Sequence, residues 1–352
     1  MLKTRNDRMS GFMDEAVLGF AAAEAATLTG ARTRDIPAHS FGRLVGGSAA
    51  MRQAFGLIER VAPTEVPVLI LGESGSGKEL VAQTLHEQSS RVTGPFVPLN
   101  CGAIPHNLIE AELFGYEKGA FAGALRAHAG VFERAAGGTV FLDEITEMSA
   151  DLQVRLLRVL ESGRFTRLGG SEELTCKARI IAATQREPAE AIAAGVLRRD
   201  LMFRLAVFPV ALPPLREREG DVLMLARQFL AEMNRQYGTS KKLTGEAEAR
   251  LTAYTWPGNV RELKNCVQRA YILADHLLDA QSVATLDQWS SRPATQETLT
   301  WRVGQSLADM ERDAILATLA HFDGDKRQTA IVLGVSLKTL YNRLNAWASQ
   351  AS

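Results

Sequence analysis

The stretch from Val66 to Glu87 constrains the fold of this 352-residue chain more than any other. Val66 to Leu71 form an apolar run of strand length, Gly72 to Glu79 read GESGSGKE, and Leu80 to Glu87 carry helical spacing. A strand entering a glycine-rich loop and then a helix is the setting of a phosphate-binding loop. Backbone N–H groups and the helix N-terminus face the phosphates, and Lys78 reaches their β- and γ-oxygens. Gly72, Glu73, Ser74, Gly75, Ser76, Gly77, Lys78 and Glu79 are therefore the candidate nucleotide-binding residues. Glu79 replaces the hydroxyl usual after the lysine, so a Mg²⁺ ion must rely on a carboxylate elsewhere.

That carboxylate stands in GGTVFLDE, where the run Thr139 to Leu142 ends in Asp143 and Glu144. A buried strand delivers both to its carboxyl edge, beside the loop. Asp143 would hold Mg²⁺, directly or through water, and Glu144 would orient and deprotonate an attacking water. Together the two motifs point to ATP hydrolysis that depends on Mg²⁺.

Between Leu44 and about Gly195, apolar runs of strand length (Val66 to Leu71, Val140 to Leu142, Arg179 to Ala183) alternate with helical stretches, the signature of a parallel α/β sheet in three layers. Pro213 and Pro214 precede a segment, Leu215 to about Leu286, with helical periodicity and no strand runs. The predicted organisation is an α/β domain at 43–214, a helical lid at 215–287, a linker at 288–304 containing SSRPATQETLT, and an all-α module at 305–352. Residues 1–42 show no domain pattern beyond one short helix expected after Asp14. With so little chain ahead of the core, control is expected from a separate protein or from expression level.

Forty basic residues balance forty acidic ones, so no global field draws the chain to nucleic acid or membrane, and any such binding must be local. One local imbalance exists. After Asp325 the chain holds Lys326, Arg327, Lys338 and Arg343 and no acid. RQTAIVLGVSLKTLYNRLNAW reads as a helix to Leu333, a turn at Gly334 and Val335, and a second helix capped by Ser336. Leu340 and Leu344 fall on the buried face, leaving Lys338, Thr339, Asn342 and Arg343, with Ser336 and Tyr341 beside them, as candidate DNA contacts at the major groove. Cys101, Cys176 and Cys266 are too scattered for a disulfide framework or a metal site with the six histidines, which fits a reducing cytosol. The Ala-rich run from Ala16 to Thr27 is too short and mild to span a bilayer, so a cytoplasmic location is expected.

Glu117 to Ala124 read EKGAFAGA: Phe121 is held between glycines and alanines on a bendable segment that displays a side chain. With these motifs in place, the chain resembles the AAA+ activators of sigma-54 RNA polymerase, the bacterial enhancer-binding proteins, from about Leu44 to the C-terminus. In that family the phosphate loop also ends in glutamate. EKGAFAGA falls on the family's GAFTGA loop, which implies that Gly119, Ala120, Phe121, Ala122, Gly123 and Ala124 contact sigma-54. The resemblance implies further roles: Asn100 as the switch that holds Glu144, Thr184 as sensor I with Gln185 in place of the usual asparagine, and Arg261 of WPGNVRELKN as sensor II. Asn259 is expected to cap the helix that carries Arg261. Arg198 and Arg204 of LRRDLMFRL resemble arginine fingers that enter a neighbouring subunit's ATP site, which implies a homo-oligomer, from dimer to hexameric ring. LPPLREREGD resembles the junction between sheet and lid. The C-terminal module resembles the Fis-type helix-turn-helix, with Leu307 to Phe322 as a dimerising helix and a near-palindromic double-stranded DNA site as its partner.

One residue departs from the pattern, since Ala122 stands where the family has threonine. Two readings follow. The chain is an ATP-driven activator that opens sigma-54 promoters, or it is a DNA-binding partner that joins or restrains a complete activator, in hetero-oligomers with it. A generic AAA+ unfoldase is a third reading, disfavoured by the helix-turn-helix.

Overall fold

The computed structural model describes residues 40–283, 306–322 and 324–350. The helix expected after Asp14 and the linker SSRPATQETLT lie outside them. The chain divides into two compact units, with the boundary between Val283 and Ala284.

In the first unit five parallel strands form a sheet in the order Phe96–Asn100, Thr139–Asp143, Arg179–Thr184, Val68–Leu71 and Phe208–Ala211. Alternate residues on the inner strands enter opposite cores because successive side chains leave a strand on opposite faces. Leu69, Val140, Leu142 and Ala182 pack with Leu113, Phe132 and Leu156 on one face. Val68, Ile70, Phe141, Ile181 and Ala183 pack with Phe55, Ile58, Val81 and Leu85 on the other. Both faces are thus apolar and covered, which is what a parallel sheet requires.

The covering helices follow from spacing and caps. Ala49–Val61 buries Met51, Phe55, Ile58 and Val61 on one stripe, and the Ser48 hydroxyl accepts from the Met51 N–H at its start. Ala150–Ser162 buries Leu152, Leu156 and Val159, begins at the Ser149 cap and stops at Gly163, whose φ is 68°.

Two strands carry no clear signal in the sequence. Phe96–Asn100 contains Pro98 and Phe208–Ala211 contains Pro209, and these are the two edges of the sheet. Proline removes a ladder donor, so edge positions tolerate it and the strand pattern is blurred. A short antiparallel pair, Arg164–Thr166 with Glu173–Thr175, also escapes the sequence reading.

The lid segment holds helices Asp221–Tyr237, Gly245–Ala253, Asn259–Leu273 and Ala280–Val283. It also contains a parallel pair, Lys242–Leu243 with Leu277–Leu278, which corrects the expectation of a segment without strands. Two residues per strand are too few to leave a period-2 pattern.

The second unit contains helices Leu307–His321, Lys326–Val332 and Leu337–Gln350. Ile315, Ala330 and Leu340 are its buried centre, with Leu333, Val335, Leu344 and Trp347 packed against them. Asp325 caps the middle helix by accepting from the N–H groups of Arg327 and Gln328, Gly334 turns the chain at φ 69°, and the Ser336 hydroxyl accepts from the Thr339 N–H at 3.0 Å. Among the described residues no helix is long and apolar enough to cross a membrane.

Phe141 is 1% exposed and stacks on Phe96 with ring centroids 6.2 Å apart. Phe141→Ala is expected to lower the unfolding free energy of the first unit by about 3–5 kcal/mol. A denaturant titration followed by circular dichroism measures this, and a loss well below that range would mean that the surrounding core collapses into the vacated space.

Candidate functional site

Parallel pairing sets Leu71 beside Thr184 and Asn100 beside Asp143, so the chemistry-bearing residues emerge along one carboxyl edge. From Leu71 the chain enters the glycine loop and turns into the helix Lys78–Glu87. Gly75 has φ 76°, and a Cβ there would collide with the Gly258 carbonyl, so only glycine permits the lid to approach the loop so closely.

Lys78 is 7% exposed. Its ammonium donates to the Gly72 carbonyl at 3.0 Å and lies 3.3 Å from Glu144 Oε1. The other Glu144 oxygen is buried and without a hydrogen-bond partner, as is the Ser76 hydroxyl. Glu144 itself sits at φ 53°, a left-handed conformation that points to functional constraint in a non-glycine residue. Burial pushes the Asp143 carboxyl above its ordinary range, against the pull of the Lys78 charge. Unfilled acceptors, a carboxylate strained by desolvation and a cation in one cleft form a set suited to phosphate and a divalent ion. Among the described residues no cluster of three or more His, Cys, Asp or Glu could hold a metal unaided. Mg²⁺ needs only one or two carboxylates when phosphates complete its shell, and Asp143 fits that requirement.

The Asn100 amide reaches Asp143 Oδ2 at 3.4 Å while its oxygen accepts from the N–H groups of Gly102 and Ala103. It therefore contacts Asp143 here, while Glu144, which the resemblance implies as its partner until the nucleotide state changes, pairs with Lys78. Thr184 is buried at the end of its strand, with its hydroxyl 3.4 Å from that of Thr146. Glu79 is exposed and accepts from Gln83 on its own helix, and its charge adds to the upward push on Asp143. Glu73 turns away from the loop's interior to Arg216 and Asn259.

From the lid, the Arg261 N–H donates to the Gly75 carbonyl at 3.3 Å and its guanidinium donates to the Ser74 hydroxyl at 3.2 Å. Asn259 does not cap the Arg261 helix. Gly258 occupies the cap position, its N–H donating to the Glu262 carboxylate at 2.7 Å, and the Asn259 side chain is engaged by other parts of the molecule.

A cavity of about 200 Å³ adjoins the loop. Leu44, Val45, Leu80, Leu225, Phe229 and Val260 give it apolar walls, and Arg43, Gln228 and Glu232 a polar margin. This is the site feature that sequence reasoning missed. Its walls come from segments far apart along the chain, and those that the lid and the two-residue strand Leu44–Val45 supply carry no motif.

Arg198 and Arg204 are partnered away from the phosphate loop of their own chain. Arg198 pairs with both oxygens of Asp200 at 3.1 and 2.7 Å, and Arg204 donates twice to the Leu160 carbonyl, at 3.1 and 2.9 Å.

The displayed loop closes on itself through Gly119 N–H to the Ala124 carbonyl at 2.8 Å and Ala124 N–H to the Phe121 carbonyl at 3.0 Å. Phe121 stays 42% exposed while its ring meets Tyr116 edge-on at 4.9 Å. Ala120, Ala122 and Gly123 line the tip, Ala122 exposed and Ala124 buried. Arg167 anchors the loop's base between Glu117, at 2.8 Å, and Glu133, at 2.6 Å.

In the second unit Arg327, Lys338, Thr339 and Asn342 are exposed. Lys326 lies over the Tyr341 ring at 4.7 Å, and Arg343 pairs with Glu311 at 3.2 Å. Ser336, a candidate DNA contact, uses its hydroxyl for the cap described above.

Fold and site define an AAA+ P-loop ATPase domain with a helical lid, carried on the same chain as a helix-turn-helix unit. Three family models match consecutive parts of the chain: the sigma-54 interaction domain at residues 44–211, the AAA+ ATPase lid domain at 216–297, and the bacterial regulatory protein, Fis family, at 306–347. The chain is 42% identical over 313 residues to the transcriptional regulatory protein FlbD of Caulobacter vibrioides, covering 85% of this chain and 69% of FlbD. It is 50% identical over 232 residues to the Nif-specific regulatory protein of Rhodobacter capsulatus, covering 66% of this chain and only 40% of that protein. Crystal structures of NtrX from Brucella abortus share 33% identity and cover 98% of this chain and 76% of NtrX, with a TM-score of 0.65, and NtrX has also been solved in complex with ATP and with ADP. The chain belongs to the family of sigma-54-dependent transcriptional activators.

Lys78→Ala would remove the buried cation and leave Glu144 unpaired. It is expected to weaken nucleotide binding at least about tenfold, the loss of one charge-assisted hydrogen bond. Titration with a fluorescent ADP measures the change, and unaltered affinity would remove Lys78 from the site.

Proposed function

We propose that this chain binds ATP at the glycine loop, hydrolyses it, and uses the cycle to remodel sigma-54 RNA polymerase at promoters located by its helix-turn-helix. The observation that carries the reading is the Lys78–Glu144 pair at the carboxyl edge of the sheet, beside a Ser76 hydroxyl and a second Glu144 oxygen that are buried and without a hydrogen-bond partner. The complexes of NtrX with ATP and ADP support nucleotide as the ligand here. The apolar cavity beside the loop takes the base, and Lys78 and the loop N–H groups take the phosphates.

Glu144 accepts a proton from the attacking water once nucleotide phosphate draws Lys78 away from it. Mg²⁺ bound with the nucleotide would be held by Asp143 and would supply positive charge to the phosphate oxygens. Asn100 couples this edge to the displayed loop, because only the turn after it and the helix His106–Phe114 separate it from Tyr116. Thr184 and Arg261 sense the nucleotide from the sheet and the lid. Arg198 and Arg204 act in trans, exchanging Asp200 and the Leu160 carbonyl for a neighbour's phosphates in a ring. Lys326, Arg327, Lys338 and Arg343 meet DNA phosphates, and Thr339, Tyr341 and Asn342 face the groove.

Glu144→Gln is expected to reduce kcat by about 10²–10⁴-fold while nucleotide still binds, as read by steady-state hydrolysis and ADP titration. Retained hydrolysis would dismiss Glu144 as the base.

Ala122 favours a second reading, a partner subunit that assembles with a complete activator. Ala122 is exposed, so the effect of a threonine there would fall on the sigma-54 contact, on the order of 0.5–1.5 kcal/mol for one hydrogen bond. Promoter opening with purified sigma-54 polymerase separates the readings. Opening by the native chain excludes the obligate partner, and opening only by Ala122→Thr excludes the autonomous activator.

A further inference from the structure

The segment from Leu212 to Asp221 takes no part in the chemistry above, yet three of its charged groups each hold a neighbouring segment: Arg218 the end of the glycine loop, Asp221 the turn before the helix Ala49–Val61, and Arg216 the start of the glycine loop. Arg218, 3% exposed, donates to the Ser76 carbonyl at 3.0 Å and to the Pro213 carbonyl at 2.8 Å. Asp221 is buried and accepts from the Gly47 and Ser48 N–H groups at 2.7 and 2.9 Å and from the Ser48 hydroxyl at 3.1 Å. Arg216 makes a two-pronged pair with Glu73 of the glycine loop, at 2.9 and 2.7 Å.

Asn259 closes this arrangement from the lid. It is fully buried and holds φ 53°. Its Nδ2 donates to Glu73 Oε2 at 3.0 Å and to the Ser74 carbonyl at 3.1 Å, while its Oδ1 accepts from the Leu215 N–H at 2.7 Å. Phosphate loop, junction and lid helix therefore converge on one amide. Aspartate would keep the acceptor but set a second carboxylate against Glu73, and alanine would leave the buried Leu215 N–H without its acceptor and take one donor from each of Glu73 and the Ser74 carbonyl. A strained, buried residue in such a place signals that geometry is being held against local preference.

We propose that Asn259 and Glu73 form the joint through which the phosphate loop and the lid move as one, with Asn259 a positioning residue for nucleotide and Glu73 a lid ligand, not a phosphate ligand. The proposal rests on the ATPase reading. Glu73 is well suited to the part, since hydrogen bonds from Arg216 first and Asn259 second hold its carboxyl down to about 2, ionised at any working pH. Phosphates that rearrange the backbone of Ser74 to Gly77 would displace Glu73 and Ser74, and the joint would carry that displacement to the helix bearing Arg261.

The test is a double-mutant cycle in the full chain with Asn259→Asp, Glu73→Gln and both together, reading KM and kcat for ATP and the melting temperature without nucleotide. Asn259→Asp should raise KM by about tenfold with a smaller change in kcat. In the double variant the amide introduced at position 73 again offers a donor to the carboxylate introduced at position 259, so KM should recover to within about threefold of the native value. If Asn259→Asp does not fold, Glu73→Gln, whose side chain is partly exposed, should still raise KM by about threefold. Native KM in the single variants, or a double-variant effect equal to the product of the singles, would overturn the joint. Should the native chain hydrolyse no ATP, the ATPase reading fails, and the same cycle read by fluorescent ADP affinity still decides the joint.

Discussion

A lysine ammonium removed from water is costly unless its charge is met at short range, and Lys78 meets it with the Glu144 carboxylate and the Gly72 carbonyl. The rest of the first unit can be understood from that requirement. Glu144 must stand at the end of one strand and Gly72 at the end of another, with Arg179–Thr184 between the two strands. Only a parallel sheet whose carboxyl ends are level achieves this, and a level parallel sheet needs apolar cover on both faces. The Gly72 N–H donating to the Thr184 carbonyl and the Leu212 N–H donating to the Leu71 carbonyl keep the strand ends aligned where the ladder stops.

The same edge is held from several directions. Arg261 and Asn259 approach from the lid, Arg218 and Arg216 from the junction, and Asn100 from the outer strand. Few groups in the loop are left to relax independently. In the proposed cycle a perturbation at the phosphates would travel outward along these elements, in one direction to the lid and in another through the nine-residue helix His106–Phe114 to the loop that displays Phe121. The loop's stem is fixed by Arg167 between two glutamates, while its tip makes only local bonds. Rigidity at the stem and freedom at the tip suit a segment that must engage another molecule.

Much of this was legible in the chain. Val68–Leu71, Thr139–Asp143 and Arg179–Thr184 are inner strands, so both faces of each are apolar and the runs are conspicuous. The edge strands were not, because Pro98 and Pro209 interrupt them where the missing donors face away from a ladder. Lys78, Asp143 and Glu144 could be found from motifs since strand–loop–helix continuity places them by local geometry. The cavity lined by Val45, Phe229 and Val260 could not, because its walls are brought together only by packing of the lid. Asn259 shows how local chemistry misleads: asparagine before a helix reads as a cap, but in this fold three distant partners outcompete the helix end for its amide.

By itself the sequence determined the phosphate loop, the paired carboxylates, the bendable EKGAFAGA segment and the basic helix pair, because each depends on residues close together along the chain. Tertiary structure decided which partners those residues take: Glu144 with Lys78, Asn100 with Asp143, Arg204 with the Leu160 carbonyl, Glu73 with Arg216 and Asn259. Such pairings join groups on different elements, or choose among competitors of equal chemistry. Distance in the folded chain, which no local pattern encodes, makes the choice.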